Sequence, residues 1–236
     1  RMVMSMTFAV IAGTVIVQAP TARFVAKKLK VLEDQANGIL FIGANKVARG
    51  LGRALDRAGY RVQLLDTSSY QVEQAREMGL NASRTNALDP LQIERLDLHA
   101  IGHMIAITPS DSINRLAVQV YAEEFGRENV RTLRMSNSPK NENTDEPLYL
   151  CGERISWEEL ARSFEDDRVV ATAEVDQTVR VDQLNELIEG AIPLLAYNAA
   201  GDLKFLQDDT QLSKGDILFY LAPDEIAEGE QAGSTS

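Results

Sequence analysis

Apolar positions follow two different patterns along the chain. One long apolar run covers residues 2–19, whereas short apolar runs alternate with helix-compatible stretches between positions 38 and 133. Short apolar runs bounded by glycine or polar turns are typical of buried strands. The pattern predicts strands at residues 39–42, 62–65, 81–83, 104–108 and 130–133, with helices at residues 46–58, 70–78, 90–96 and 112–125. This alternation predicts an α/β fold with a Rossmann-like, doubly wound parallel sheet.

A turn of small residues follows the first predicted strand. Gly43, Asn45 and Ala48 occupy the three positions of the dinucleotide-binding fingerprint, and Asp66 closes the second strand. In that fingerprint the glycines let the backbone approach a pyrophosphate, and the acidic residue about 20 positions later holds a ribose hydroxyl. Asn45 stands where the middle glycine is expected, so its side chain enters the space of a phosphate.

Polar residues end several of the predicted strands. The carboxyl ends of parallel strands meet at one edge of a sheet, where such folds bind ligands. The sequence therefore predicts a ligand site formed by residues that follow strands: Asn45, Asp66, Asn86 and Thr108. The alternative is purely structural for each of these positions. Asp66 and Asn86 would then form turns, Thr108 would complete a strand, and Ser110 or Asp111 would cap the next helix.

The pattern of residues in the carboxyl-terminal part predicts a second, smaller unit. Residues 137–147 contain no aliphatic side chain, which is typical of a linker. A capping-box pattern at residues 156–159 starts a helix that we expect to reach residue 164. Strands are predicted at residues 169–175, 192–198 and 217–221, with a strand or helix at 184–187 and a turn at 200–202. We expect a small α+β domain at residues 148–225 without a site of its own, and a disordered tail at 226–236.

The apolar run in residues 2–19 has no charged side chain and is followed by Arg23, Lys27, Lys28 and Lys30. A spanning helix needs about 20 apolar residues, and basic residues mark its cytoplasmic side. The run therefore predicts the end of a transmembrane helix at residues 1–22 and a basic cytoplasmic linker at 23–36. We expect an inner (cell) membrane location, with later residues cytoplasmic. The alternative is a buried helix in a protein that does not span a membrane.

Charge and residue usage exclude several classes of function. The chain has 24 basic and 35 acidic residues, a net charge of -11, which argues against nucleic acid as a partner. The single cysteine excludes a disulfide framework and a multi-cysteine metal centre, and two histidines leave little for a histidine-rich one. We therefore expect no metal site.

Several of these motifs together resemble a known family. Gly43-Ala44-Asn45-x-x-Ala48, Asp66, Asn86-Ala87 and Thr108-x-x-Asp111-x-x-Asn114 resemble the regulator of K⁺ conductance (RCK, or TrkA-N) domain of potassium channels and cation transporters. Residues 14–23 are similar to the end of the last transmembrane helix of monovalent cation/proton antiporters. In that family the Rossmann-like domain, here residues 37–136, joins such a helix directly.

The resemblance implies a regulatory region that binds a nucleotide. It implies an adenine nucleotide (AMP, ADP, ATP or NAD), with Gly43 and Asn45 at the phosphates, Asp66 at the ribose, and Asn86 and Thr108 at the base. It also implies a homodimer through the RCK domain and a partnership with the transmembrane part of its own transporter. The complete set of candidate binding residues is Gly43, Ala44, Asn45, Ala48, Asp66, Thr67, Asn86, Ala87, Thr108 and Asp111.

Two classes of function remain open from the sequence. A nucleotide-sensing regulatory region of a cation/proton antiporter needs no catalytic group, because differential affinity for two states is enough to shift transport. A soluble NAD-dependent oxidoreductase of Rossmann type would need an acid or base beside the nicotinamide. His99 and His103 lie outside any recognisable catalytic pattern. We therefore expect a protein that is not an enzyme.

Overall fold

The structure, a computed structural model, describes residues 37–136, 147–152, 154–165, 168–184 and 190–222. Helices and strands alternate in its first part. The elements are β1 (Gly38–Ile42), α1 (Lys46–Arg57), β2 (Val62–Asp66), α2 (Ser69–Glu77), β3 (Ala82–Arg84), α3 (Pro90–Ile93), β4 (Ile101–Ala106), α4 (Asp111–Phe125) and β5 (Val130–Thr132). This confirms the predicted α/β alternation. Thr108 lies beyond the end of β4 rather than inside it, because the strand starts and ends earlier than its apolar run suggested.

The five strands form one parallel sheet in the order β3-β2-β1-β4-β5. Both faces are buried. Ile39 and Phe41 point into one hydrophobic cluster, whereas Leu40 and Ile42 point into another on the opposite face. Alternate residues of β1 thus face opposite sides of the sheet, and because both sides are buried, β1 is a continuous apolar run. The strand order reverses between β1 and β4, and ligands of such sheets bind at the carboxyl ends beside that point.

The second part contains antiparallel sheets. Its elements are α5 (Trp157–Glu165), β6 (Val169–Glu174), β7 (Val179–Arg180), β8 (Ile192–Tyr197), β9 (Leu203–Phe205), β10 (Gln211–Leu212) and β11 (Ile217–Ala222). One sheet has the order β6-β11-β8-β9, and β7 pairs with β10. The α+β composition predicted for this part is confirmed. The sequence did not predict β7, β9 and β10, because strands of two or three residues are too short to show alternation.

The two parts share one hydrophobic core. A single cluster joins residues of β1 and α1 to α5, β8 and β11, and both parts belong to the compact unit Asn37–Ser236. Tyr60 stacks on Tyr197 with ring centroids 3.5 Å apart, and the Tyr197 hydroxyl donates to the backbone oxygen of Asn37 at 3.3 Å. The parts before and after residues 137–147 therefore pack against each other, and the predicted domain boundaries stay a prediction.

Among the described residues, no helix is both long enough and apolar enough to cross a membrane. The expectation of an inner-membrane location is therefore wrong for the part of the chain that the structure describes. The predicted transmembrane helix at 1–22 and basic linker at 23–36 lie outside the described residues, as do most of the linker at 137–147, residues 185–187 of the strand or helix at 184–187, and the tail at 226–236.

Candidate functional site

A polar cleft opens where the strands of the parallel sheet end. Its volume is about 290 Å³, and we call it the strand-end cleft. Turns after β1, β2, β3 and β4 all contribute to its wall, as expected for the switch point of a doubly wound sheet. The lining residues are Ile42, Gly43, Leu65, Asp66, Thr67, Thr85, Asn86, Ala87, Leu88, Thr108, Pro109, Ser110 and Ile113.

Gly43 shapes the turn between β1 and α1. Its φ angle is 106°, a left-handed conformation that side chains other than hydrogen disfavour. Its N–H donates to the oxygen of Leu65 at 2.7 Å. A Cβ at this position would lie 3.1 Å from the oxygen of Ile107. The turn therefore needs glycine both for its conformation and for the close approach of the strand ends.

Asn45 caps α1 and ties it to the end of β4. Its Oδ1 accepts from the N–H of Ala48 at 3.1 Å, and its Nδ2 donates to the oxygen of Ile107. The side chain is therefore held by the protein between β1 and β4, where a pyrophosphate crosses in proteins with a middle glycine. Asn45 does not line the strand-end cleft, and neither does the fully buried Ala48.

The start of α1 still has N–H groups for an anion. The backbone N–H groups of Lys46 and Val47 make no hydrogen bond within the described residues, because no preceding helical turn offers them a carbonyl oxygen. The unpaired donors and the helix dipole favour negative charge at such an end. Gly43, three residues before the first residue of α1, lines the cleft, so these donors lie beside its rim.

Asp66 holds the turns after β1 and β2 together. Its Oδ2 accepts from the N–H of Ala44 at 2.8 Å, and its Oδ1 accepts from the N–H of Ser68 at 2.8 Å. Ala44 itself is fully buried and lies behind the cleft wall. A carboxylate has about four acceptor positions. Asp66 is half-buried, so it can hold these backbone groups and still accept from a ligand hydroxyl.

Thr108 is fixed by Asn114, which is fully buried in α4. Asn114 Oδ1 accepts from the Thr108 N–H at 3.0 Å and from the Thr108 hydroxyl at 2.7 Å, while its Nδ2 donates to the Thr108 oxygen at 2.8 Å. Asn114 belongs to the Thr108-x-x-Asp111-x-x-Asn114 motif but is not among the candidate residues predicted from the sequence. Its spacing of six residues from Thr108 was the available signal.

The far side of the cleft is built from residues after β3. Asn86 Oδ1 accepts from the N–H of Leu88 at 3.0 Å, which sets the turn. Thr85 is buried, and its N–H donates to the oxygen of Asp66 at 2.9 Å. Thr85 is not among the residues predicted from the sequence, although it follows a strand next to Asn86 and so carries the same signal. The Tyr121 hydroxyl donates to the oxygen of Ala87 at 3.0 Å, and burial raises the pKa of Tyr121 to about 12.

The last two candidates, Thr67 and Asp111, differ in whether they line the cleft. Thr67 lines it with an exposed side chain, and its backbone oxygen accepts from Arg84 Nε at 3.2 Å. Asp111 does not line it, because its Oδ2 binds Arg115 Nε at 2.7 Å one helical turn away. Six of the ten candidates thus line one cleft, namely Gly43, Asp66, Thr67, Asn86, Ala87 and Thr108. Ala44, Asn45, Ala48 and Asp111 surround it.

Among the described residues, no histidine or cysteine side chain lines the cleft. His103 is in β4, where burial lowers its pKa, and Cys151 is fully buried, which raises the pKa of its thiol to about 12. Such a thiol carries almost no thiolate, the reactive form, at neutral pH. Within the described residues no three His, Cys, Asp or Glu side chains are placed to hold a metal ion.

Comparison with known proteins gives one match to a family model. Residues 39–144 match the family model of the TrkA-N domain, which covers the parallel sheet and the whole wall of the cleft. No curated protein sequence matches the chain.

Several solved structures are similar. The NAD(P)-binding domain of an exopolyphosphatase-related protein from Archaeoglobus fulgidus is 20% identical over 55% of this chain and 95% of that one, with a TM-score of 0.42. The TrkA-N domain of the inner membrane protein YbaL from Escherichia coli is 21% identical over 43% of this chain and 76% of that one, with a TM-score of 0.35. The GsuK channel, solved bound to NAD, is 14% identical over 82% of this chain, with a TM-score of 0.38. This chain spans 38% of that channel protein's length.

Proposed function

We propose, from the match of residues 39–144 to the TrkA-N family model, that the chain is a nucleotide-sensing regulatory region of a monovalent cation/proton antiporter. The observation that carries the proposal is the convergence of Gly43, Asp66, Asn86 and Thr108 on one cleft at the switch point of the parallel sheet. Residues from four separate turns meet there, and each is fixed by hydrogen bonds to backbone groups or to a buried side chain.

The cleft suits the adenosine part of a nucleotide. At about 290 Å³ it is at the lower end of small-molecule sites, which run from roughly 300 to 1,000 Å³. Asp66 supplies the acceptor for ribose hydroxyls, while Leu88 and Ile113 supply apolar contact. The free N–H groups at the start of α1 supply the phosphate contact. Because Asn45 fills the space between β1 and β4, we favour a mononucleotide (AMP, ADP or ATP) over NAD.

Binding at this cleft would regulate by selecting one arrangement of the region. The ligand contacts turns after four strands, so it stabilises the arrangement in which those turns are close. A ligand shifts transport only as far as its affinities for the two states differ. The proposed partner that reads this shift is the ion-translocating part of the antiporter.

We also propose that the chain is not an enzyme. No histidine, cysteine, lysine or tyrosine lines the strand-end cleft among the described residues, and its one carboxylate already holds two backbone N–H groups. Hydride transfer needs an acid or base beside the substrate. The lining side chains are those of a binding site, which disfavours the oxidoreductase alternative.

Replacing Asp66 tests the nucleotide site. For the wild-type chain, a nucleotide at a hundredfold excess over Kd raises the free energy of unfolding by about 2.7 kcal/mol. Asp66→Ala removes a charged acceptor, so we expect affinity to fall about ten- to a hundredfold. Thermal-shift titration of the full chain with AMP, ADP, ATP, NAD and NADH measures this. Asp56→Ala, which removes an exposed carboxylate at the end of α1, is the matched control.

The nucleotide titration of the three proteins has three distinguishable outcomes. A saturable shift in wild type and Asp56→Ala that is lost in Asp66→Ala supports the nucleotide site. Equal affinity in all three proteins would show that the nucleotide binds elsewhere, and no shift with any of the five would exclude nucleotide sensing.

We further propose a homodimer through the TrkA-N domain, formed on α4. Ile113, Leu116 and Val120 are 44%, 47% and 47% exposed and lie three and four residues apart, which places them on one helix face. Exposed apolar stripes of this kind on a helix mark protein interfaces. A second copy would present the same stripe, as an isologous interface requires.

Light scattering of the full chain at micromolar concentration tests the dimer. We expect twice the chain mass for wild type and the mass of one chain for Leu116→Glu, because a charge in the stripe cannot be buried without a partner. Tyr70→Glu, at a 68% exposed position on α2, should leave the dimer intact. The proposal would be wrong if the wild-type protein had the mass of one chain, or if the Leu116→Glu variant kept the mass of two chains.

A further inference from the structure

A basic groove lies between α1, α5 and the start of β6. It is separate from the strand-end cleft, with which it shares no lining residue, and its volume is about 520 Å³. We call it the basic groove. Five cationic side chains line it, and no acidic side chain does so among the described residues. The lining residues are Lys46, Arg49, Gly50, Arg53, Ala54, Arg57, Met78, Phe164, Arg168, Val169 and Val170.

Four of the five cations come from one face of α1. Lys46, Arg49, Arg53 and Arg57 are spaced three or four residues apart, so they form a stripe along the helix. The opposite face of α1 is buried in the core. Like charges at this spacing repel each other. The stripe is also unusual in a chain of net charge -11, and an anionic occupant would relieve the repulsion.

None of the five cations of the groove makes an ion pair among the described residues, and Arg49 is the one that interacts electrostatically with a nearby carboxylate, that of Asp66. Arg49 donates to the backbone oxygen of Ala44 at 2.6 Å, and Arg168 donates to that of Leu221 at 3.1 Å. A carbonyl oxygen accepts the hydrogen bond but brings no negative charge.

The floor of the groove is apolar. Phe164 lies against Gly50, where a Cβ would overlap the phenyl ring, and the pair closes the bottom of the groove. Ala54, Val169 and Val170 complete the floor. A chain segment that combines several carboxylates with a small apolar side chain matches both the rim and the floor.

We propose that the groove binds the chain's own acidic segment, residues 223–236. That segment reads PDEIAEGEQAGSTS and has four acidic residues, no basic residue and Ile226 among the acids. Its carboxylates match the cations of the rim, and Ile226 matches the apolar floor. The binding is a noncovalent ion-pair contact along α1.

The strand register brings this segment to the groove. β11 ends at Ala222, and Ala222 pairs with Val169, which lines the groove. Arg168, another lining residue, donates to the oxygen of Leu221 in the same strand. Ala222, the last described residue before the segment, therefore lies one strand spacing from Val169 in the groove wall. A short tether of this kind gives an effective concentration in the millimolar range, so even weak ion pairs keep such a site occupied.

A labelled peptide measures whether the groove is occupied by this segment. The probe is a fluorescein-labelled peptide with the sequence of residues 223–236, and the readout is fluorescence anisotropy. It is titrated with the wild-type full chain and with a full-length neutral-tail variant that carries Asp224→Asn, Glu225→Gln, Glu228→Gln and Glu230→Gln. We expect the neutral-tail variant to bind the peptide at least about tenfold more tightly, because its own segment no longer competes.

Charge reversal in the groove identifies the binding surface. Arg53→Glu in the neutral-tail background should weaken the peptide about tenfold or more, and Arg57→Glu should act in the same direction. Arg95→Glu, the same charge change at an exposed position outside the groove, is the matched control and should have little effect. Thermal unfolding of each variant shows that it is folded.

Each outcome decides the proposal. It is overturned if wild type and the neutral-tail variant bind the peptide equally, if neither binds it, or if Arg95→Glu weakens binding as much as Arg53→Glu. Tighter binding by the neutral-tail variant, lost on Arg53→Glu and kept on Arg95→Glu, supports it. Because Asp66 is not in the groove, the nucleotide titration above can fail while this result stands.

Discussion

Asn114→Leu is expected to lower the free energy of unfolding by about 3 kcal/mol, or roughly 6–12 °C in Tm. Leucine has a similar volume but cannot replace the three hydrogen bonds that Asn114 makes with Thr108. The N–H and oxygen of Thr108 would then lose their partners beside a fully buried position. Urea denaturation and thermal unfolding measure the change.

The same substitution should also weaken nucleotide binding, because Thr108 lines the strand-end cleft. Asn81→Leu is the matched control, since Asn81 is exposed and its side chain makes no hydrogen bond among the described residues, while its backbone oxygen accepts from the N–H of Leu64. We expect it to change the free energy of unfolding by less than about 0.5 kcal/mol. Equal stabilities for the two variants would show that the Asn114–Thr108 bonds contribute little.

Tyr197→Ala is expected to cost about 4 kcal/mol and to destabilise both parts of the described structure together. Tyr197 is fully buried, stacks on Tyr60 of the first part and contacts Phe219 of the second at 6.1 Å between ring centroids. Its removal leaves a cavity in the hydrophobic cluster that both parts share. Burial also raises the pKa of Tyr197, so the hydroxyl is neutral at ordinary pH.

Two probes on the same urea titration test that coupling. Trp157, the chain's one tryptophan, lies in α5 of the second part and reports by fluorescence, whereas circular dichroism is dominated by the helices of the first part. Coincident transitions that both move to lower urea in Tyr197→Ala indicate one cooperative unit. Tyr70→Ala, at a 68% exposed side chain, should shift neither probe. Separate transitions in wild type would contradict a shared core.

Helix α1 connects the two surfaces described above. Its first turn borders the strand-end cleft, and its basic stripe lines the groove. Asn45 and Asp66 fix its start by hydrogen bonds to backbone groups at the ends of β4 and β1. The turn before α1 lines the cleft through Gly43, and α1 itself lines the groove. Double titration of nucleotide and labelled peptide measures any coupling between the two surfaces.

The sequence itself determined the alternation of strands and helices in residues 38–133 and most of the cleft. Short continuous apolar runs, glycine at the turn after β1 and capping residues such as Ser110 are local signals, so they can be read from neighbouring positions. Parallel strands bring their carboxyl ends to one edge of a sheet, so the places of Asp66, Asn86 and Thr108 after strands predict that these residues lie close together.

Only the tertiary structure decided the contacts between distant positions. The sequence shows that the Asn45 side chain replaces a glycine at a phosphate-binding position. It does not show that Asn45 donates to the backbone oxygen of Ile107, because that bond depends on the spacing of β1 and β4. The shared core of Tyr60 and Tyr197, and the meeting of Arg53 with Arg168 in the basic groove, join residues more than 100 positions apart. Such contacts depend on how whole elements pack, and no local pattern of side chains encodes that packing by itself.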